Sequence, residues 1–107
     1  MVMSVRALLL AVKTDPDGEF QAYRMDEMGL SERGPATPEQ LLCLLAVETF
    51  DAIAVSSPPD LEAVKLVRIL SGRLPLLALL HPDRVGVDPF KAYEAAMALM
   101  ESAPDAA

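Results

Sequence analysis

Seven residues in this chain carry side chains suited to chemistry and fall where loops would gather them: Lys13, Thr14, Asp15, Asp17, Ser56, Ser57 and His81. Asp15 and Asp17 flank Pro16, a spacing that could hold a divalent cation, but turn formation and the first turn of a helix account for both without a metal. His81 is the only histidine, and no Ser or Cys nucleophile is obviously assigned to it, so it reads as a loop residue. Ser56 and Ser57 could donate hydrogen bonds to a ligand, although Ser57 ahead of Pro58-Pro59 is explained more simply as a helix N-cap. The single cysteine, Cys43, rules out an internal disulfide and supplies no metal-ligand pair. Set within Leu41-Leu42-Cys43-Leu44-Leu45, it reads as a small buried hydrophobe. Gly18, Gly29, Gly34, Gly72 and Gly86 are isolated, so there is no glycine-rich phosphate loop. Glu48, Asp51 and Glu62 form no recognisable acid/base pair. No catalytic set, cofactor or metal is expected, and the chain does not read as an enzyme.

The elements that position these residues follow from apolar runs and their punctuation. Val5 to Val12 is a buried-strand pattern with one Arg near its start, broken by the turn chemistry of Lys13-Thr14-Asp15-Pro16-Asp17-Gly18. Residues 16 to 29 read as a helix, with Pro16 in its first turn, Phe20, Tyr23 or Arg24, and Met28 as a weak inward stripe, and Gly29 as its end. Leu30 to Ala36 is at best an edge strand. Thr37-Pro38-Glu39-Gln40 is a capping box with proline at the first helical position, opening a broadly apolar helix to about Thr49. Ala52 to Val55, four consecutive small or β-branched apolar residues, suits a central strand covered on both faces. Ser57 to Asp60 then caps a helix in which Leu61, Val64, Leu66, Val67, Ile69 and Leu70 recur at helical spacing. Leu74 to Leu80 is a fourth strand, Val85 to Val87 a short fifth. Asp88-Pro89 caps a last helix to about Ser102, and residues 103–107 read as a frayed tail.

At 107 residues and 52% hydrophobic, the chain can build one core and one domain, residues 1–107. Its net charge of −7 disfavours phosphate backbones, so direct nucleic-acid binding is not expected. No apolar run approaches the roughly 18 residues that span a bilayer. The six apolar residues from Ala7 to Val12 are too short for a signal-peptide core, so a cytoplasmic location without membrane contact is expected.

In order and spacing these pieces resemble a response-regulator receiver domain of bacterial signalling. The resemblance rests on Leu8-Leu9-Leu10-Ala11-Val12 followed by Asp15-Pro16-Asp17, and on Phe50 to Val55 with Pro58-Pro59-Asp60. It continues through Pro75-Leu76-Leu77-Ala78-Leu79 and Val85-Gly86-Val87-Asp88-Pro89-Phe90. It implies a flavodoxin-like α/β fold, a three-layer αβα arrangement around a mostly parallel sheet of four to five strands. The helix between strands 4 and 5 would be missing or very short, since only Leu80 to Val85 remain for it. It further implies that the phosphoacceptor aspartate falls on Ser56, the metal-holding acidic pair on Lys13-Thr14, the switch hydroxyl on Leu80 or His81, and the conserved lysine on Asp88. None of these residues suits its role, so aspartyl phosphorylation is not expected.

Two functional expectations follow. The first is a phosphorylation-independent, receiver-like interaction module that docks a protein partner or forms a homodimer. Its surface would be the final helix, through Asp88, Phe90, Tyr93, Met97 and Met100, beside the shortened connection. The second is a small α/β domain binding a metabolite or nucleotide at the carboxyl ends of its strands, with Lys13, Thr14, Ser56, Ser57 and His81 lining the crevice.

Overall fold

The computed structural model describes residues 6–13, 18–58, 61–70, 76–80 and 88–102. Among the described residues, five strands and three helices follow one another: β1 (Leu8–Val12), β2 (Phe20–Asp26), β3 (Gly29–Ala36), α1 (Pro38–Val47), β4 (Ala52–Ser56), α2 (Leu61–Leu70), β5 (Leu76–Leu80) and α3 (Pro89–Ser102). The strands form one sheet in the order β3-β2-β1-β4-β5. β1 pairs antiparallel with β2, and β2 antiparallel with β3. β4 lies parallel to β1, and β5 parallel to β4. The sheet is therefore mixed, an antiparallel meander joined to a parallel half. This corrects the flavodoxin-like expectation of a mostly parallel sheet, the fold that the receiver resemblance implies.

The error lies in one segment. Residues 20–26 form a strand where the sequence pattern suggested a helix over 16 to 29. Phe20 and Ala22 are buried and alternate with half-buried Gln21 and Tyr23, a period of two. Gly29 is the closing residue of a tight hairpin and not a helix end. Asp26 Oδ1 accepts from the Met28 N–H at 2.9 Å, Asp26 pairs with Gly29, and Gly29 takes the left-handed φ of 107° that completes the reversal. Leu30 to Ala36 is an edge strand, as the sequence suggested. The pairing shifts by one residue between Ala22–Gly34 and Tyr23–Glu32, leaving Arg33 as the extra residue of a bulge with Gly34 at φ 85°. That bulge, with Pro35 beside it, blunts the exposed edge against pairing with another chain.

β1 and β4 are buried on both faces, which is why they read as continuous apolar runs and do not alternate. On one face, Leu9, Ala11, Phe20, Ile53 and Val55 pack under Leu41 of α1 and Leu66 and Leu70 of α2. On the other, Leu8, Leu10, Val12, Ala52 and Ala54 pack under Ala92 and Ala96 of α3. The alanine-on-alanine contact at α3 brings that helix close to the sheet. α1 begins as the sequence indicates: Thr37 Oγ1 accepts from the Gln40 N–H at 3.2 Å, and Gln40 Oε1 accepts from the Thr37 N–H at 2.8 Å. The expected fifth strand at Val85 to Val87, and the question of a helix between Leu80 and Val85, lie outside the described residues.

Candidate functional site

The first candidate is the end of the sheet where β1 and β4 both finish at their carboxyl termini. There the Lys13 N–H donates to the Ser56 carbonyl at 2.7 Å, prolonging the parallel ladder by one rung. Both residues are buried, Lys13 at 2% exposure and Ser56 at 1%. Two of the positions singled out from sequence are thus neighbours. Their side chains nonetheless diverge. Lys13 continues the alternation of Leu9 and Ala11, and its Nζ lies 5.3 Å from the centre of the Phe20 ring, on the face covered by α1 and α2. Ser56 continues the alternation of Ala52 and Ala54 on the α3 face, where its Oγ is buried without a hydrogen-bond partner. A sheet separates the ammonium from the hydroxyl, so these two groups cannot grip one small ligand together.

Of the other expected members of that crevice, Ser57 alone is among the described residues. Ser57 donates its hydroxyl to the Pro58 carbonyl at 2.8 Å, and α2 starts only at Leu61. Thr14 and His81 lie outside the described residues, whereas Leu80, the last residue of β5, is the register partner of Ser56 in the parallel ladder. Asp88 is a helix cap: its Oδ1 accepts from the Phe90 N–H at 2.9 Å and its carbonyl from the Ala92 N–H at 3.1 Å. Among the described residues no cluster of His, Cys, Asp and Glu could hold a metal ion.

At the opposite end of the sheet, the charged groups are tied to one another. Asp51 Oδ2 accepts from the N–H groups of Ala7 and Arg6 at 2.9 and 2.8 Å, and these bonds hold its carboxyl below the usual aspartate range. Arg33 grips Glu48 with both arms, Nε to Oε2 and Nη2 to Oε1 at 2.8 Å each, which lowers the glutamate's pKa. Arg24 stacks 5.0 Å above the Phe50 ring while donating to Asp26 at 2.6 Å and to the Thr49 carbonyl at 2.9 Å. These contacts clamp the β2–β3 hairpin to the exit of α1. They form a structural joint with its charges matched internally.

The second candidate is α1 itself. From Leu41 to Val47 it reads Leu-Leu-Cys-Leu-Leu-Ala-Val, without a charged or strongly polar side chain. Of its ten residues only Pro38 and Leu41 are buried. Leu42, Leu44 and Leu45 are partly covered, and Cys43, Ala46 and Val47 face solvent, Val47 at 78% exposure. This corrects the reading of Cys43 as a buried hydrophobe. A cleft of about 430 Å³ runs along the helix's second half, lined by Leu42, Leu45, Ala46 and Val47 and by Glu48, Thr49 and Phe50 beyond it. Neighbouring α2, joined to α1 by the Glu39–Lys65 ion pair, adds exposed Leu61 and Val64.

The final helix, the expected interaction surface, packs on the sheet through small residues. Its core stripe is Ala92 and Ala96, with Tyr93 packed beside them against the sheet. Met97 is half-buried, Phe90 is 56% exposed, and the Met100 side chain lies outside the described residues. The sequence shows α1 to be broadly apolar, and the docking face on it is not among the expected sites. The available signal is the run Leu41 to Val47, apolar on every side of a helix, which one face of a sheet cannot cover all round.

No family model, characterised protein or solved structure matches this chain. Nothing in these comparisons ties it to receiver domains. No helix among the described residues is long and apolar enough to cross a membrane.

Proposed function

We propose that this chain is a protein-interaction module that works by docking through the outer face of α1. One observation carries the reading. The stretch Leu41 to Val47 is apolar on every side of the helix, a pattern suited to an interior, yet Cys43, Ala46 and Val47 are exposed. Leaving Val47, Ala46 and the partly covered leucines in water costs roughly 25 cal/mol for each Å² of apolar surface, which a partner recovers on docking. The cleft beside Leu42 and Leu45 provides a concave seat for an apolar side chain from that partner. The reading involves no chemical step, and neither Lys13 nor Ser56 has a part in it.

The test is affinity capture from host-cell extract with the wild-type chain and with two variants, Val47→Glu and Val47→Lys. The position is exposed, so both should fold with stability within about 0.5 kcal/mol of the wild type. Proteins retained by the wild type and lost with both variants support docking on α1. Identical capture by all three sinks it.

A further inference from the structure

We propose that β3 is latched to the exit of α1 through Arg33 and Glu48, and that acid undoes the latch, freeing β3 and one end of the α1 cleft while the rest of the sheet holds. The latch is a property of the chain alone and needs no docked partner. The bulge in β3 is what aims Arg33. In an unbroken strand Arg33 and Ala36, three residues apart, would point to opposite faces of the sheet. The extra residue, with Gly34 at φ 85°, cancels one alternation and puts both on the face under α1. Ala36, opposite Phe20, is buried there, and Arg33 reaches Glu48 just beyond the helix.

β3 has little else to hold it. It lies at the edge of the sheet with β2 as its one neighbour among the described strands, and of its eight residues only Ala36 is buried. Such an edge belongs to the part of a domain that opens locally before the whole unfolds. Two N–H bonds from one guanidinium to one carboxylate hold it, and they also fix the Glu48 side chain that lines the end of the cleft. Facing Glu48 among the described residues are Arg33 from β3 and Arg24 and Asp26 from β2, with Arg24 Nη1 3.7 Å from its Oε1. The Arg33 hydrogen bonds hold the glutamate's pKa below its ordinary value of 4.5. The latch is therefore whole above that pH and is lost as pH falls through the lower folded value. Arg24 keeps its hold on the Thr49 carbonyl and the Phe50 ring, so the opening is confined to Glu48 and β3.

The experiment is amide hydrogen exchange on the full chain in a low-urea series, at about pH 7 and about pH 3, each amide corrected for its intrinsic rate. The reporters are the β2–β3 ladder amides and the Glu48 N–H, which donates to the Leu44 carbonyl. The reference is the Lys13 N–H, which donates to the Ser56 carbonyl in the parallel half. At acid pH the wild-type reporters should lose about five-fold in protection, as befits a partly exposed bidentate pair, and should exchange almost independently of urea. The Lys13 amide should keep the steep urea dependence of global unfolding. Asp26, at the hairpin turn, protonates in the same range, so the variants Glu48→Gln and Arg33→Gln isolate the latch. Each should show the lowered β3 protection already at neutral pH and change little on acidification. Wild-type reporters whose response to acid matches that of both variants overturn the latch. So does a single urea dependence shared by the reporters and Lys13, which means that β3 leaves only with the whole fold.

Discussion

Ser56 shows how far a single residue can be read from sequence. Its type and its place at the end of a strand marked it as a candidate ligand contact, and the structure does set it beside Lys13. Which face each side chain takes depends on strand register, and that depends on β2 being a strand, so the divergence of the two was not legible. A buried hydroxyl without a partner costs the folded state its lost hydration. Ser56→Ala should therefore be neutral or stabilise the chain by up to about 1 kcal/mol in urea unfolding. A loss of more than that would reveal a bond to the hydroxyl that the folded chain needs. Cys43 reads as buried because its neighbours are all apolar, whereas its place on the helix leaves it exposed, away from the side that Leu41 buries.

At the scale of elements, what was legible had local causes. The Thr37 capping box, the Asp88 cap and the two doubly covered strands are each determined by a few adjacent residues. The β2–β3 hairpin was missed because helix and strand patterns compete over a short amphipathic stretch. Here Pro16, Asp17 and Gly29 imitated helix punctuation. The deciding cue was Asp26 followed three residues later by Gly29, a turn signature that is equally compatible with a helix end. Two substitutions test the observed geometry. Gly34→Ala forces a side chain into left-handed backbone at the bulge and should cost about 1–2 kcal/mol, although the space around it is open. Thr37→Ala removes one half of the capping box and should cost about 1 kcal/mol. If urea unfolding shows Gly34→Ala to be neutral, the bulge is misplaced.

For the whole molecule, the N-terminal end of the parallel strands is where pH acts. Asp26, Glu48 and Asp51 all ionise more readily folded than unfolded, held down by Arg24, by Arg33 and by the Ala7 and Arg6 amides respectively. Groups with lowered folded pKa values stabilise fully above their ordinary values, 3.8 for aspartate and 4.5 for glutamate, and lose that contribution as pH falls through the folded values. Stability should thus drop steadily below about pH 4.5 and be little changed between pH 6 and 8. Glu48→Gln should flatten part of the acid slope and cost no more than about 1 kcal/mol at neutral pH, since the pair is partly exposed and screened. A urea midpoint unchanged from pH 6 to 3 would show that these ion pairs do not bear on folding.

The outer face of α1 adjoins this network at Glu48. Cys43, on the exposed side of that helix, reports directly whether the face becomes covered. The decisive measurement is the rate at which a thiol reagent labels Cys43 in the chain alone and in dialysed host-cell extract, in the wild type and in Val47→Lys. Docking on α1 requires the wild-type rate constant to fall several-fold in extract while that of Val47→Lys stays constant. A rate constant unchanged by extract in both proteins would contradict the account.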